Sequence, residues 1–231
     1  MLSNPIVQSL FWSAVTICFY LLAKRIHGRW RHGWLTPVLL TPVLLLLPVL
    51  LLHESYQDYI RGTGWLLALL GPTTVAFAVP IYEQRAVIRK HWPVLAVGAL
   101  AGSLTAIASS YALASALGLD GQLRLSLLPR SISTPFAMTM SGDIGGIPDL
   151  TAVFVVITGV TGGILGEVLL LRLRVRSSLA KGAAMGMGAH GVGTAKAQEL
   201  GREEGSFAGL VMVLVGLLNV LAAPLLSWCL H

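Results

Sequence analysis

Charge is scarce in this chain. Only 11% of its 231 residues are Asp, Glu, Lys or Arg, 55% are hydrophobic, and the mean hydropathy is +0.77. A soluble domain carries about 25% charged residues, so a water-soluble globular fold is not expected. Acidic residues are the rarer sign, 10 against 16 basic, giving a formal charge of +6 and a pI near 9.7. The basic residues fall in short clusters between apolar runs, with no basic face and no array of stacking aromatics, so nucleic acid is not an expected partner. Cysteine is scarce too. Cys18 and Cys229 each lie in an apolar run, where a free thiol behaves as a small hydrophobe rather than half of a disulfide or a metal site. Zinc-ligand spacing and a Gly-x-Ser-x-Gly elbow are both missing, so no enzyme chemistry, metal or cofactor is expected. No basic residue precedes the first apolar run and Lys24-Arg25 follow it. That is the reverse of a secretory leader, and the run reads as a span whose N-terminus lies outside.

What is present is an all-α integral membrane protein. A crossing helix needs about 20 apolar residues, and residues 4–23 supply the first. A basic loop follows with Lys24, Arg25, Arg29 and Arg31. Residues 34–53 form a second span, kinked by Pro37, Pro42 and Pro48. The loop 54–61 has one basic residue against two acidic ones. Residues 64–82 form a third span, interrupted at Gly71-Pro72-Thr73-Thr74 and again at Pro80, with Arg85, Arg89 and Lys90 in its exit loop. The fourth, 92–117, carries Gly98, Gly102, Ser103, Ser109 and Ser110, small residues that let helices approach closely. Later spans are expected over 147–171 and 206–230, with Arg172, Arg174, Arg176 and Lys181 after the former and a glycine-rich segment, 182–200, between them.

The stretch Pro129-Arg130-Ser131-Ile132-Ser133-Thr134-Pro135, continuing through Ser141-Gly142-Asp143-Ile144-Gly145-Gly146-Ile147-Pro148, is too polar and too broken to face lipid. Irregular backbone at membrane depth survives only when buried in protein or lining a cavity. Basic loops belong inside, which places 24–33, 83–91 and 171–181 on the cytoplasmic face and 118–126 outside. A full crossing by 127–146 would put the four basic residues after 171 on the wrong side; a re-entrant hairpin there removes the conflict. The expected architecture is about seven transmembrane helices plus one hairpin, in one transmembrane domain with pseudo-repeats at about 1–117 and 118–231. Segments 64–82 and 182–198, broken at Gly71-Pro72 and at Gly188-Ala189-His190-Gly191 and crossing in opposite directions, are the pointer to inverted repeats with two discontinuous helices.

Broken helices expose N–H groups and a positive dipole end to the gap. Arg130 offers a planar fork for a carboxylate; Ser131, Ser133 and Thr134 add hydroxyls, as does Thr194, and Lys196 adds a second positive charge. Histidine is the residue type whose reference pKa lies near neutrality, which makes His190 a candidate for a substrate or proton role. Asp143 reads as a proton carrier or as the resting partner of Arg130 or Lys196, and Glu83 is a further proton-coupling candidate. Gly71, Pro72, Pro135, Gly145, Gly146, Pro148, Gly188, Gly191 and Gly193 are the hinge positions. Plainer readings stand beside these. Arg130 can snorkel to headgroups or pair with Asp143, His190 can bond a neighbouring carbonyl, and the glycines can serve packing alone. Asp149, just after Pro148, fits a helix cap.

At these residues the chain resembles the LrgB/CidB-like membrane proteins. The resemblance rests on 129–135, on Ile144-Gly145-Gly146-Ile147-Pro148 and on Ala189-His190-Gly191-Val192-Gly193-Thr194-Ala195-Lys196, and extends to Pro80-Ile81-Tyr82-Glu83-Gln84 and Glu203-Glu204-Gly205-Ser206-Phe207. Arg130 stands where lysine is usual in that family, and Asp149 where a small residue is commoner. The resemblance implies two functions. One is antiholin-like regulation of murein hydrolase export and lysis beside a smaller LrgA/CidA-like membrane protein. The other is carriage of small acids, as in a chloroplast glycolate/glycerate relative and bacterial pairs linked to pyruvate or acetate. It also implies distant similarity to cation/proton antiporters and bile-acid transporters, and a multi-pass place in the bacterial inner membrane. The residues favour a secondary transporter of small monocarboxylates such as glycolate, glycerate, pyruvate or lactate, since a lesion-forming protein has little use for charges inside interrupted segments. Lipid, the carboxylate, the LrgA-like protein and further copies of the chain in a homo-oligomer, a dimer being one option, are the expected partners.

Overall fold

In the computed structural model every regular element among the described residues, 5–30, 35–76, 78–119 and 121–230, is a helix. Asn4, Arg31 and Trp34 lie outside the described residues, as do the side chains of Thr73, Thr74 and Pro80. The chain divides into two compact units, Met1–Thr73 and Thr74–His231.

In the first unit α1 (Pro5–Arg29) packs on both α2 (Pro37–Leu52) and α3 (Tyr56–Ala68). Gly62 of α3 lets the helices meet, since a Cβ there would lie 3.2 Å from Trp12 Cβ. Polar groups close the seam: Ser9 Oγ donates to the Gly62 carbonyl at 3.0 Å and Trp65 Nε1 donates to Ser13 Oγ at 2.8 Å. Lipid tails are as apolar as leucine, so such bonds and close packing hold helices together where the hydrophobic effect does not. Pro42 and Pro48 lie inside α2. Ser55 and Asp58 form a capping box, which starts α3 within the stretch expected to be a loop. The interruption expected at Gly71-Pro72 falls at Leu69 instead. Pro72 sits in the first turn of α4 (Leu70–Ala76), where its missing N–H has no intrahelical acceptor.

The second unit continues with α5 (Ala78–Glu83), α6 (Arg85–Ala116), α7 (Gly121–Leu127), α8 (Thr134–Asp143), α9 (Pro148–Arg172), α10 (Ser178–Leu200) and α11 (Arg202–Leu230). Arg85, Arg89 and Lys90 are in the first turns of α6 rather than in a loop. Among the described residues, four helices are long and apolar enough to cross a bilayer: Ile6–Arg29, Arg85–Ala116, Pro148–Arg172 and Arg202–Cys229. Apolar side chains face outward and polar ones inward on these helices and their neighbours, the pattern suited to a lipid surround. Leu104, Leu221 and Trp228 are exposed while Ser103, Ser110, Ser141, Thr151 and Asn219 are buried.

Segment 121–147 folds as a helical hairpin. Its base is a knot of hydroxyls. Ser126 Oγ accepts from the Ile147 N–H at 2.7 Å, and Thr151 Oγ1 lies 2.9 Å from the Ser126 carbonyl and 2.7 Å from Ser141 Oγ. Gly145, at φ +86, and Gly146, where a Cβ would meet Ser141 Oγ at 2.5 Å, make the turn that starts α9 behind this knot. The apolar side of α8 packs on α11, with Phe136 against Gly216.

The segment expected to cross outward, 182–198, does not run straight. At His190 the backbone leaves the helix (φ 38, ψ −118) and α10 reverses. Gly193, past the reversal, abuts the carbonyl of Met185, before it. Both arms lie on the same part of α11: Gly182 and Gly186 contact residues 204–208, while Thr194 Oγ1 reaches Met212 Sδ at 3.8 Å and Gln198 packs on Gly205. Both arms also lie on α9, Met185 beside Gly166 and Lys196 Nζ 3.3 Å from Glu167. Glycine on three sides allows this. Gly182 and Gly186 admit the backbone of α11, and Gly159 and Gly162 of α9 admit His190 and the Gly188 carbonyl.

Candidate functional site

The two reversals meet beside the middle of α9. At the tip of the first hairpin, residues 128–133, Arg130 donates from Nε to Ser110 Oγ at 2.9 Å and from its guanidinium to Thr158 Oγ1 at 3.4 Å. On the next residue of α9, a Cβ built on Gly159 would lie 2.5 Å from His190 Cε1, at the tip of the second hairpin. Ser131 from the first tip and Gly188 from the second line one cleft of about 370 Å³ with Gly102, Thr105 and Ala106 of α6.

The groups at the tips are unsatisfied in ways that suit an anion. Arg130 is half-buried, and no carboxylate among the described residues pairs with it; the ion pairs there are those of Arg61, Lys181 and Lys196. Ser133 caps α8 without a side-chain bond to its first turn, and Pro135 holds the second position of the helix. The positive end of the α8 dipole therefore opens at the tip. Two buried polar atoms at the tips, Ser133 Oγ and His190 Nε2, have no partner among the described residues. Buried polar atoms are nearly always bonded, which makes these two atoms candidates for contact with a solute or water.

The structure gathers part of the expected set. Arg130, Ser131 and Ser133 form the first tip, with Thr134 and Pro135 in the turn after it. His190 forms the second, flanked by Gly188 and Gly191, and Thr194 Oγ1 donates back to the His190 carbonyl at 2.9 Å. Lys196 lies further down the second arm, 3.3 Å from Glu167 and 3.4 Å from Glu199. The expected pairing of Asp143 with Arg130 or Lys196 is thereby corrected. Asp143 is exposed at the opposite end of α8, beside Gly145, Gly146 and Pro148 at the hairpin base, and hydroxyls hold Arg130 instead. Glu83 is exposed at the end of α5. Gly71 and Pro72 lie in α4, within the first compact unit.

Three residues of the site were not anticipated. Ser110 and Thr158 hold Arg130, and Asn219 of α11, 4% exposed, donates to Ser103 Oγ at 2.8 Å. With Ser103, Ser131 and Met187, Asn219 lines a small cavity of about 10 Å³, room for about one water. Its signal was legible, because it is the sole amide in the last apolar run.

Comparison with known proteins places these features. The sequence profile of the LrgB-like family matches residues 16–229. Two Bacillus subtilis (strain 168) proteins are similar: YxaC, 39% identical over 217 residues covering 94% of each chain, and YwbG, 38% identical over 220 residues covering 95% of this chain and 96% of its own. The holin-like protein CidB of Staphylococcus aureus (strain N315) is 31% identical over 223 residues, 96% of this chain and 97% of its own. No solved structure matches. With nearly the whole chain matched, both hairpins included, the protein belongs to the LrgB-like family.

Proposed function

We propose that this multi-pass membrane protein is a secondary transporter of small monocarboxylates such as glycolate, glycerate, pyruvate or lactate. The carrying observation is Arg130, a guanidinium placed among membrane helices, held by two hydroxyls and paired with no carboxylate among the described residues. A charge in that setting is costly unless it serves an ion. The carboxylate sits on the Arg130 fork, with Ser131, Ser133, Thr134 and the N-terminus of α8 around it. His190 and Thr194 close the other side. Lys196 is held by Glu167 and Glu199 further along the second arm and is the second cation available to the solute once released from them, and His190, Asp143 and Glu83 are the candidates for proton coupling. Nothing in this scheme calls for catalysis, a metal or a cofactor.

The reversal of α10 favours six full crossings and two hairpins over seven crossings and one. Under the loop-charge rule the first hairpin enters from outside and the second from the cytoplasm, each followed by a long helix. Segments 121–172 and 178–230 then form an inverted pair inside one transmembrane domain, in place of a division at about 117. The setting proposed is the bacterial cytoplasmic membrane, with a small LrgA/CidA-like protein and a second copy of the chain as partners.

A second reading, a holin-like or antiholin-like regulator of murein hydrolase export and lysis, is favoured by the name of the CidB relatives. Reconstitution separates the two. The carrier reading expects saturable, pH-dependent uptake of labelled glycolate or pyruvate into proteoliposomes. Unsaturable leakage indifferent to solute identity supports the regulator and removes the carrier.

A further inference from the structure

The cleft at the tips has a neighbour. A cavity of about 380 Å³ lies between α6 and the first arm of α10, lined by Leu95, Gly98 and Ala99 on one side and by Ser177, Ala180 and Ala183 on the other. It begins at Ser177, next to the basic 172–176 segment, and runs toward the tips. It shares one lining residue with the cleft holding Ser131 and Gly188. Met187 lines both, and the small cavity of Asn219 as well. The side chain is seated opposite Gly102 of α6, where a built Cβ would lie 3.0 Å from its Cγ, Sδ and Cε. Gly102 therefore provides the notch that lets Met187 bridge the space between the helices. An unbranched thioether changes rotamer easily, so the plug can leave without moving backbone.

We propose that Met187 is the size-determining gate on the cytoplasmic side of the site, and that solute moves between the cytoplasm and Arg130 along the α6–α10 cleft. This rests on the carrier reading for its solute but not for its test. In the full-length chain carrying Cys18→Ser and Cys229→Ser, single cysteines replace Ser131, beyond Met187, and Ala180, before it. Everted membrane vesicles, in which the 172–177 segment faces the medium, are treated with a negatively charged methanethiosulfonate. Met187→Ala is expected to raise the labelling rate at Ser131→Cys by about tenfold or more, the low end of what a methionine side chain's apolar contacts are worth, and to leave Ala180→Cys unchanged. Met187→Phe is expected to slow Ser131→Cys labelling instead, which keeps the test decisive if the alanine variant fails to fold. Equal rates at Ser131→Cys in parent and variants overturn the gate. Labelling requires no carriage, so absent saturable uptake with Met187-dependent labelling condemns the solute assignment alone. Saturable uptake with Met187-independent labelling condemns the gate alone.

Discussion

Arg130→Ala is expected to lower carboxylate uptake at sub-saturating solute by about a hundredfold, carried mainly by KM. Removing one partner of a buried charge pair costs roughly 2–5 kcal/mol, and about 1.4 kcal/mol is a factor of ten. Arg130→Lys keeps the charge but loses the fork that spans Ser110 and Thr158, so it should retain part of the uptake, about tenfold below the parent. A snorkelling arginine predicts otherwise. Its removal would change uptake little, because its role would be played at the headgroups and not at a solute. Initial rates in proteoliposomes at several glycolate concentrations, with protein folding checked by size-exclusion, distinguish the two.

Gly193→Ala is expected to destabilise the protein by about 2–3 kcal/mol, the upper range for inserting a methylene into a packed interior. The new methyl would strike the Met185 carbonyl, and neither backbone can give way while both arms of α10 are held on α11. Gly188→Ala provides the control. It lies in the same segment with open space around its Cβ, and alanine in a helix is favoured over glycine by up to about 1 kcal/mol. Thermal melting in detergent should therefore show a lowered midpoint for the first and an unchanged or raised one for the second. Equal behaviour would mean that α10 does not fold back on itself.

Much of this architecture was legible in the residues because membrane depth leaves few options. A run as polar as 129–135 inside an apolar chain has to be buried or line a cavity, and residues 128–133 do form a turn between two short helices, α7 and α8. The hinge glycines at 145 and 146 and the break at His190 were visible for the same reason. The direction taken at His190 was not. A helix interrupted by glycines can bend a little or reverse, and the choice lies with Gly159, Gly162, Gly182 and Gly186, whose partners are distant in sequence. Loop charge was silent here as well, since 201–205 carries one basic and two acidic residues. Partners across helices escaped likewise. Ser110 looked like one more small residue on a packing face, and only its 2.9 Å contact with Arg130 Nε gives it a role. The break expected at Gly71-Pro72 moved because a proline in the first turn of a helix disrupts nothing.

The most direct test of the account asks whether the two reversals touch. Cysteines at Ser131 and Gly188, in the full-length Cys18→Ser, Cys229→Ser background, line the same cleft from the two hairpins. A short bifunctional thiol reagent should join them within one chain, giving a mobility shift that appears only in the double variant. If each single cysteine reacts with a monofunctional reagent yet the pair cannot be joined, the hairpin tips lie apart and there is no shared site for a solute to occupy.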